Sequence, residues 1–377
     1  MIFKKVEKIL VIKLRYIGDV LLTVPVFRAL REIFPDAHIA ALFNAGTEGV
    51  LRGNPFIDEI LLFNRGIKRL SAIKRYTNEI KFLREIRGKG FDMTVDLSGG
   101  DRAAIISFAS GAKYRLGWNS QEGFIGKRYL YTHHHKPDGK KHMVLQNHDI
   151  VSQFGISTED LSVGIHIPED DRIFVRNILK KNSLKEDTRV IHIHPTSRCQ
   201  YKCLKDECIA QIIKWLLERD MAVIITSSSE EREMEQAKKI LSLIPEPLRN
   251  SSKLIDLCGR TTIKQLAAIS ELSDVFLGVD SAPMHIAAAV GIPVIALFGP
   301  SITCRWRPWD NTLAKEKETH YKKRNGLQKS SLHTIVQRDW ECVPCGKEGC
   351  NNSKISKCLE DIKPEEIKVI IKEKLKG

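Results

Sequence analysis

The sequence predicts an α/β protein built from two doubly wound domains, each a parallel sheet covered on both faces by helices. Three observations carry this expectation. The chain has 377 residues, more than one ordinary core organises, so two domains of roughly 150–200 residues are expected. Strand-length apolar runs alternate with segments of helical periodicity, and the alternation pauses once, near residues 155–170, before restarting. The stretch from Asp274 to Ser301, DVFLGVDSAPMHIAAAVGIPVIALFGPS, reads as strand, sharp turn, helix and strand in immediate succession. A right-handed crossover of that kind brings the carboxyl end of a strand beside a helix N-terminus.

Taken in order, Lys8–Leu14 is an apolar strand, followed by Arg15-Tyr16-Ile17-Gly18-Asp19 and the helical run VLLTVPVFRALREIF. Gly18 permits the turn, and Asp19 is expected at the helix head, where N-caps are found. Pro25 is expected to kink that helix or restrict its first turns. A strand at 38–43, a helix near 47–52 and a strand at 59–63 follow, then a basic helical segment. Phe91–Leu97 is a strand ending at Ser98-Gly99-Gly100, with a short helix from Asp101. Residues 114–118 and 129–132 are expected as short strands, and the loop 119–127 and the run His133-His134-His135-Lys136 as mobile polar segments. The turn-rich stretches after Gly155 and around Pro168 mark a boundary. The expected domains are therefore 1–160 and 161–377.

The second domain repeats the pattern. A strand at 189–194 leads into the loop HPTSRCQYK, then a helix at 204–219, a strand at 221–226 and a helix at 230–243. A strand at 254–258 and a helix at 262–271 lead into the Asp274–Ser301 unit. There Pro283 falls in the first turn of a helix, where its missing N–H costs nothing. The N–H groups of Ser281 and Ala282, with the helix dipole, make that corner an anion site suited to phosphate. His285, one turn further in, is placed to add a ring N–H. The plain structural alternative is a capped crossover with a core histidine.

Composition removes several classes. No apolar run reaches the ~18–20 residues that span a bilayer. The first residues, MIFKKVEKILVIKL, interleave charge with apolar side chains and lack a small-residue cleavage site, so a cytoplasmic chain is expected. Nine cysteines in such a chain point to reduced thiols rather than a disulfide framework. A dinucleotide-dependent oxidoreductase is disfavoured, because the first turn LRYIGD lacks the GxGxxG pattern.

The net charge is +14, and its densest segment holds Arg65, Lys68, Arg69, Lys74, Arg75, Lys81, Arg84, Arg87 and Lys89 against Glu79 and Glu85. Ile67, Leu70, Ile73, Ile80, Leu83 and Ile86 recur there at helical spacing. Such a helix is either a solvated face or a surface for an anionic partner such as acidic lipid headgroups. Nucleic acid is not expected as a partner, since no helix-turn-helix, zinc-finger or RNP pattern accompanies the charge. A non-catalytic basic nucleotide-binding protein remains the alternative class.

Three motifs in order carry a resemblance. Ile17-Gly18-Asp19-Val20-Leu21 follows the first strand, His194-Pro195-Thr196-Ser197-Arg198 precedes Lys202, and Gly278-Val279-Asp280-Ser281-Ala282-Pro283-Met284-His285 forms the late turn. Together they resemble glycosyltransferase family 9, the bacterial heptosyltransferases of lipopolysaccharide core assembly. The spacing around Cys342 and the HPTSR form resemble the heptosyltransferase III branch in particular. The resemblance implies a GT-B fold of two Rossmann-like domains facing across a cleft. It also implies an ADP-heptose donor on the C-terminal domain and a lipid A–core acceptor on the N-terminal one, without a cofactor or catalytic metal. Another nucleotide-sugar-dependent GT-B transferase of cell-surface glycan assembly is the nearest alternative. Within the family pattern Asp19 matches the base that deprotonates the acceptor hydroxyl. Lys202, Ser281, Ala282 and His285 are candidates to hold the departing diphosphate, with Thr196 and Ser197 as hydroxyl donors. Asp280 is expected to orient donors or contact the sugar. Lys13 matches a basic position facing an acceptor anion, and Glu230 or Glu231 fits the expected ribose-binding acid. A lipid-anchored acceptor implies peripheral contact with the acidic inner face of the cytoplasmic membrane.

Near the C-terminus, Cys342, Cys345, Cys350 and Cys358 are spaced either for a tetrahedral zinc site or for a compact loop of free thiols. Pro364–Lys376 is expected as a helix with an acidic first turn and a basic last turn, packing back across the domains as such helices do in GT-B proteins.

Overall fold

The computed structural model describes residues 3–66, 71–119, 123–314 and 323–376. The chain divides into two compact units, Met1–His166 and Ile167–Gly377.

The first unit contains β1 (Lys8–Lys13), α1 (Ile17–Leu21), α2 (Val24–Ile33), β2 (His38–Asn44) and β3 (Glu59–Phe63). It continues with α3 (Ala72–Gly88), β4 (Met93–Asp96), α4 (Asp101–Ala109), β5 (Tyr114–Trp118), β6 (His133–His135) and α5 (Met143–Ser152). The six strands form one sheet in the order β3-β2-β1-β4-β5-β6, every pair parallel. Strands buried on both faces are continuous apolar runs, which is why β1 and β2 read so plainly in the sequence.

Several first-unit elements differ from the sequence reading. The expected helix after β1 is two helices, with Leu22 and Thr23 between them and Pro25 in the opening positions of α2. Pro25 cannot donate an N–H inside a continuous helix, so the chain restarts where that group is not needed. Asp19 is consequently no N-cap: Tyr16 holds that position and Asp19 lies in the first turn of α1. The turn at 47–52 is only a 3-10 segment, Glu48–Val50. Residues 127–130 form a 3-10 turn rather than a strand. His133–His135, expected to be mobile, is the edge strand β6, hydrogen-bonded parallel to β5. Its His133 ring meets Phe3 and Phe154 edge to face, so aromatic packing orders a run whose composition looked like loop.

The second unit contains α6 (Glu169–Lys181), β7 (Val190–His194), α7 (Asp206–Leu217), β8 (Ala222–Ile225), α8 (Glu231–Ser242) and α9 (Glu246–Arg249). Next come β9 (Leu254–Asp256), α10 (Ile263–Glu271), β10 (Val275–Val279), α11 (Ala282–Ala289), β11 (Val294–Leu297) and α12 (Thr303–Trp306). The chain closes with β12 (Gln328–Lys329), β13 (Thr334–Val336), α13 (Lys357–Glu360) and α14 (Pro364–Lys374). The seven strands run β12-β13-β11-β10-β7-β8-β9, parallel except for the β12–β13 hairpin. Gly278 lets β10 lie close to β7, since a Cβ there would sit 3.0 Å from the His194 carbonyl oxygen and nearer still to the Phe276 ring.

Helix α14 packs in its own unit: Ile367, Ile370 and Ile371 share a core with Ile209, Ile212 and Ile213 of α7. Its acidic first turn and basic last turn are as expected. Among the described residues, no helix is long and apolar enough to cross a membrane.

Candidate active site

The carboxyl edge of each sheet gathers the residues that the motifs singled out. In the second unit, β10 ends at Val279 and α11 begins at Ala282, with Ser281 at its N-cap and Pro283 in its opening positions. The polypeptide thus turns so that the first N–H groups of α11 face the strand end. Asp280 is buried, and its Oδ2 accepts a hydrogen bond from Lys202 Nζ at 2.6 Å. Lys202 closes a 3-10 turn after the HPTSR loop, so two loops from adjacent strands, β7 and β10, meet through this ion pair. The sequence left the role of Asp280 open; the structure makes it the partner of the candidate phosphate lysine. His285 is buried in the first turns of α11.

Thr196 is also buried, and its hydroxyl donates to Glu233 Oε2 at 2.8 Å. Glu233 was not singled out in the sequence. Glu230 stands exposed at the N-cap of α8, and the acid that meets the HPTSR loop is Glu233, one turn later on the inward face. Helical periodicity is the signal that distinguishes them, because residues three apart share a face with the buried Ala237 and Ile240. Ser197 accepts from the Cys199 N–H at 3.3 Å, closing the loop on itself.

Beneath these loops lies a polar chain in the sheet. Thr226 Oγ1 is 2.8 Å from both His192 Nε2 and His194 Nδ1, and His192 Nδ1 is 2.9 Å from Ser270 Oγ. Burial keeps both imidazoles neutral, holding His194 down at about 3 and His192 well below the ordinary range. Thr226 has one proton, so it donates to one ring while the other ring donates to it. Two histidines at alternate positions of β7 share one face, a pattern the apolar strand reading passed over.

In the first unit, Asp19 follows β1, half-buried in α1. Lys13, the last residue of β1, is 1% exposed, and its ammonium donates to the Leu97 carbonyl at 2.7 Å and to Asn147 Oδ1 at 3.1 Å. A side chain so enclosed supports the strand ends rather than reaching toward an acceptor, which corrects the direct-contact expectation. Burial lowers its pKa to about 8, against the opposing field of Asp19. Asp96, at the end of β4, is buried and accepts from Tyr131 Oη at 2.6 Å and from the Ser98 and Gly99 amides. Burial raises its pKa while these donors and Lys13 oppose the rise. Gly99 closes this turn with a left-handed φ of +67°, and its carbonyl accepts from the buried Lys127 at 3.0 Å. The loop beside Asp19 is thus clamped by Lys13, Asp96 and Lys127, of which only Lys13 stood out in the sequence.

None of the four cysteines of the C-terminal segment is in a disulfide bond. Cys358 is buried, with its thiol pushed up to about 11 by burial and further by Cys350 and Cys345. Among the described residues no group of three or more His, Cys, Asp or Glu side chains is arranged to hold a metal ion. The segment leans on the donor loop instead, with Ser356 Oγ donating to the Tyr201 carbonyl at 2.6 Å.

Comparison with known proteins agrees with this layout. The family described as Glycosyltransferase family 9 (heptosyltransferase) matches residues 80–335. Lipopolysaccharide heptosyltransferase 3 of Escherichia coli K12 is 28% identical over 316 residues, 82% of this chain and 88% of that protein. Among solved structures, the glycosyl transferase family 9 protein of Veillonella parvula superposes with a TM-score of 0.77 at 20% identity, covering 98% of both chains. The E. coli ADP-heptose lipopolysaccharide heptosyltransferase II gives 0.74 at 19% identity, again with 98% of both chains covered. These likenesses establish the fold as GT-B. The family match runs from α3 to β13 and takes in both the HPTSR loop with Lys202 and the Asp280–His285 turn, so the chain belongs to glycosyltransferase family 9, the heptosyltransferases.

Proposed function

We propose that this chain is an inverting transferase that moves a heptose from ADP-heptose to the lipopolysaccharide inner core, with a lipid A–core molecule as acceptor. The observation that carries the reading is the Lys202–Asp280 pair at the head of α11. It anchors a cation beside a helix N-terminus at the carboxyl edge of a parallel sheet, where a diphosphate is best received. Two relatives support the donor and acceptor classes: one is a lipopolysaccharide heptosyltransferase 3 and another an ADP-heptose lipopolysaccharide heptosyltransferase.

In this reading Asp19 accepts the proton of the acceptor hydroxyl as that oxygen attacks the anomeric carbon from the face opposite the diphosphate. The bond to the diphosphate breaks and negative charge grows on its oxygens. Lys202, the Ser281 and Ala282 amides and His285 meet that charge, with the Ser197 hydroxyl as a further donor. Asp280 holds the Lys202 ammonium in place, and Glu233 fixes the Thr196 side of the loop; exposed Glu230 stays a candidate for the ribose hydroxyls. Lys13 keeps the strand ends beside Asp19 in register. The transfer needs no cofactor beyond the donor. Because the acceptor is lipid-anchored, the enzyme works at the inner face of the cytoplasmic membrane, reached peripherally through the basic α3. Of the cations named for that contact, Lys74 and Arg75 are exposed, and Lys68 and Arg69 lie outside the described residues.

The test is incubation with ADP-heptose and a panel of truncated core acceptors, read by mass. One acceptor should gain a heptose, and Asp19→Asn should lower that rate by about 10²–10⁴-fold with ADP affinity unchanged. No heptose gain on any acceptor would remove the reading, and an undiminished rate in the variant would remove Asp19 as base.

A further inference from the structure

We infer that a pocket between α3 and α4 of the first unit binds an acyl chain of an anionic membrane lipid. The inference rests on the proposed function for its purpose, but its chemistry stands on the surface itself. The pocket measures about 270 Å³, and its walls are Phe63, Phe82, Leu83, Ile105 and Ile106. It begins at the carboxyl edge of the sheet, since Phe63 ends β3 and its other wall is the opening of α4 directly after β4. That is the edge at which Asp19 follows β1.

Two acids lie at the rim, and both are neutralised. Glu79 pairs with Arg102 at 2.9 Å and with Arg75 at 4.0 Å, and Asp101 lies 3.7 Å from Lys127. The Arg102 guanidinium also covers the Phe63 ring at 4.7 Å, so the rim presents positive charge above an apolar floor.

The surroundings continue the same chemistry. On α4, Ile105 is 44% and Phe108 53% exposed; on the first turns of α3, Ile73 is 80% and Tyr76 68% exposed. Ile73 shares the helical spacing of Ile80, Leu83 and Ile86, but only the second half of α3 packs down, through Phe82, Leu83 and Ile86. Arg75, Arg84 and Arg87 are exposed among these side chains, and the Arg115 guanidinium lies 5.5 Å over the Phe108 ring. Large exposed apolar side chains on helices that flank an apolar pocket mark contact sites. Interleaved with cations, they match the layered chemistry of an acidic bilayer surface, with headgroup phosphate outside and hydrocarbon beneath. A second copy of this chain would bring the same positive charge against itself, so the charge favours the lipid.

The test titrates the whole protein with octyl, decyl and dodecyl phosphate below micelle formation, with methyl phosphate as headgroup control. Affinity should rise about fourfold per added methylene until the pocket is filled, and methyl phosphate should not bind. Ile105→Asp, at an exposed position, should lower dodecyl phosphate affinity at least tenfold, and Leu83→Trp should flatten the chain-length series. In parallel, sedimentation with phosphatidylglycerol vesicles should show salt-reversible binding weakened by Lys74→Gln/Arg75→Gln. Affinity independent of chain length in the wild type would overturn the inference, as would equal binding by Ile105→Asp. A change of oligomeric state in Ile105→Asp without loss of alkyl phosphate binding would assign the face to a second copy instead. Activity on a delipidated core acceptor separates the two readings. It should survive Ile105→Asp; absence of activity in the wild type on both delipidated and lipid-bearing core acceptors would remove the proposed transfer while leaving the lipid result standing.

Discussion

At the scale of single residues, Lys202 and Asp280 are paired at 2.6 Å in the candidate donor site. A buried carboxylate beside a diphosphate repels it, yet the same carboxylate fixes the ammonium that attracts it. Removing the lysine therefore has two costs, a lost charged hydrogen bond and an uncompensated acid. Lys202→Ala should weaken ADP binding by about 10- to 100-fold. Adding Asp280→Asn to that variant should restore part of the affinity, because the repulsion goes with the charge. Isothermal titration with ADP decides this, and a double variant no better than Lys202→Ala would place Asp280 away from the diphosphate.

At the scale of elements, the strands of the second unit are tied by polar groups that burial makes sensitive to acid. Thr226 serves two imidazoles from β7 at once. Thr226→Val should cost about 1–3 kcal/mol in urea denaturation, since both rings keep polar nitrogens without the hydroxyl. The pH dependence has a definite sign. His194 titrates near 3 and His333 near 4 in the folded chain, held down by burial, against an ordinary 6.5. The unfolded chain takes up protons that the folded chain refuses, so this stability is present above pH 6.5 and declines as pH falls toward those values. Melting temperature should thus fall steadily between pH 6.5 and 5, before carboxylates such as Asp310 and Glu366, whose pKa is lowered, begin to protonate. A flat profile over that window would contradict the buried neutral rings.

The whole molecule is two units, each with its own sheet and core. The α14 helix completes the core of the second unit, burying Ile371 against α7. The groups assigned to the diphosphate, from Thr196 to His285, all belong to that unit. A fragment beginning at Ile167 should therefore fold and be stabilised by ADP, whereas a fragment ending at His166 should show no ADP-dependent shift. Thermal melting of the two fragments with and without ADP checks this; stabilisation of only the fragment ending at His166 would reverse the assignment.

The sequence by itself determined the fold class and nominated the residues of the candidate site. Buried parallel strands are continuous apolar runs, and the turns that end them carry glycine, proline and short polar residues whose backbone needs are local. The Asp280–His285 turn was legible for that reason, whereas Asp19 and Lys202 were singled out by the resemblance to the family's motifs. Tertiary structure decided what depends on neighbours distant in the chain. Lys13 became a buried support because Leu97 and Asn147 close over it. Glu233, which the sequence did not single out, meets Thr196 of the HPTSR loop because helix phase selects the inward residue. His133–His135 became a strand through Phe3 and Phe154, and the first turns of α3 are exposed among the described residues. Each of these outcomes turns on contacts between residues far apart in sequence, which local pattern does not encode.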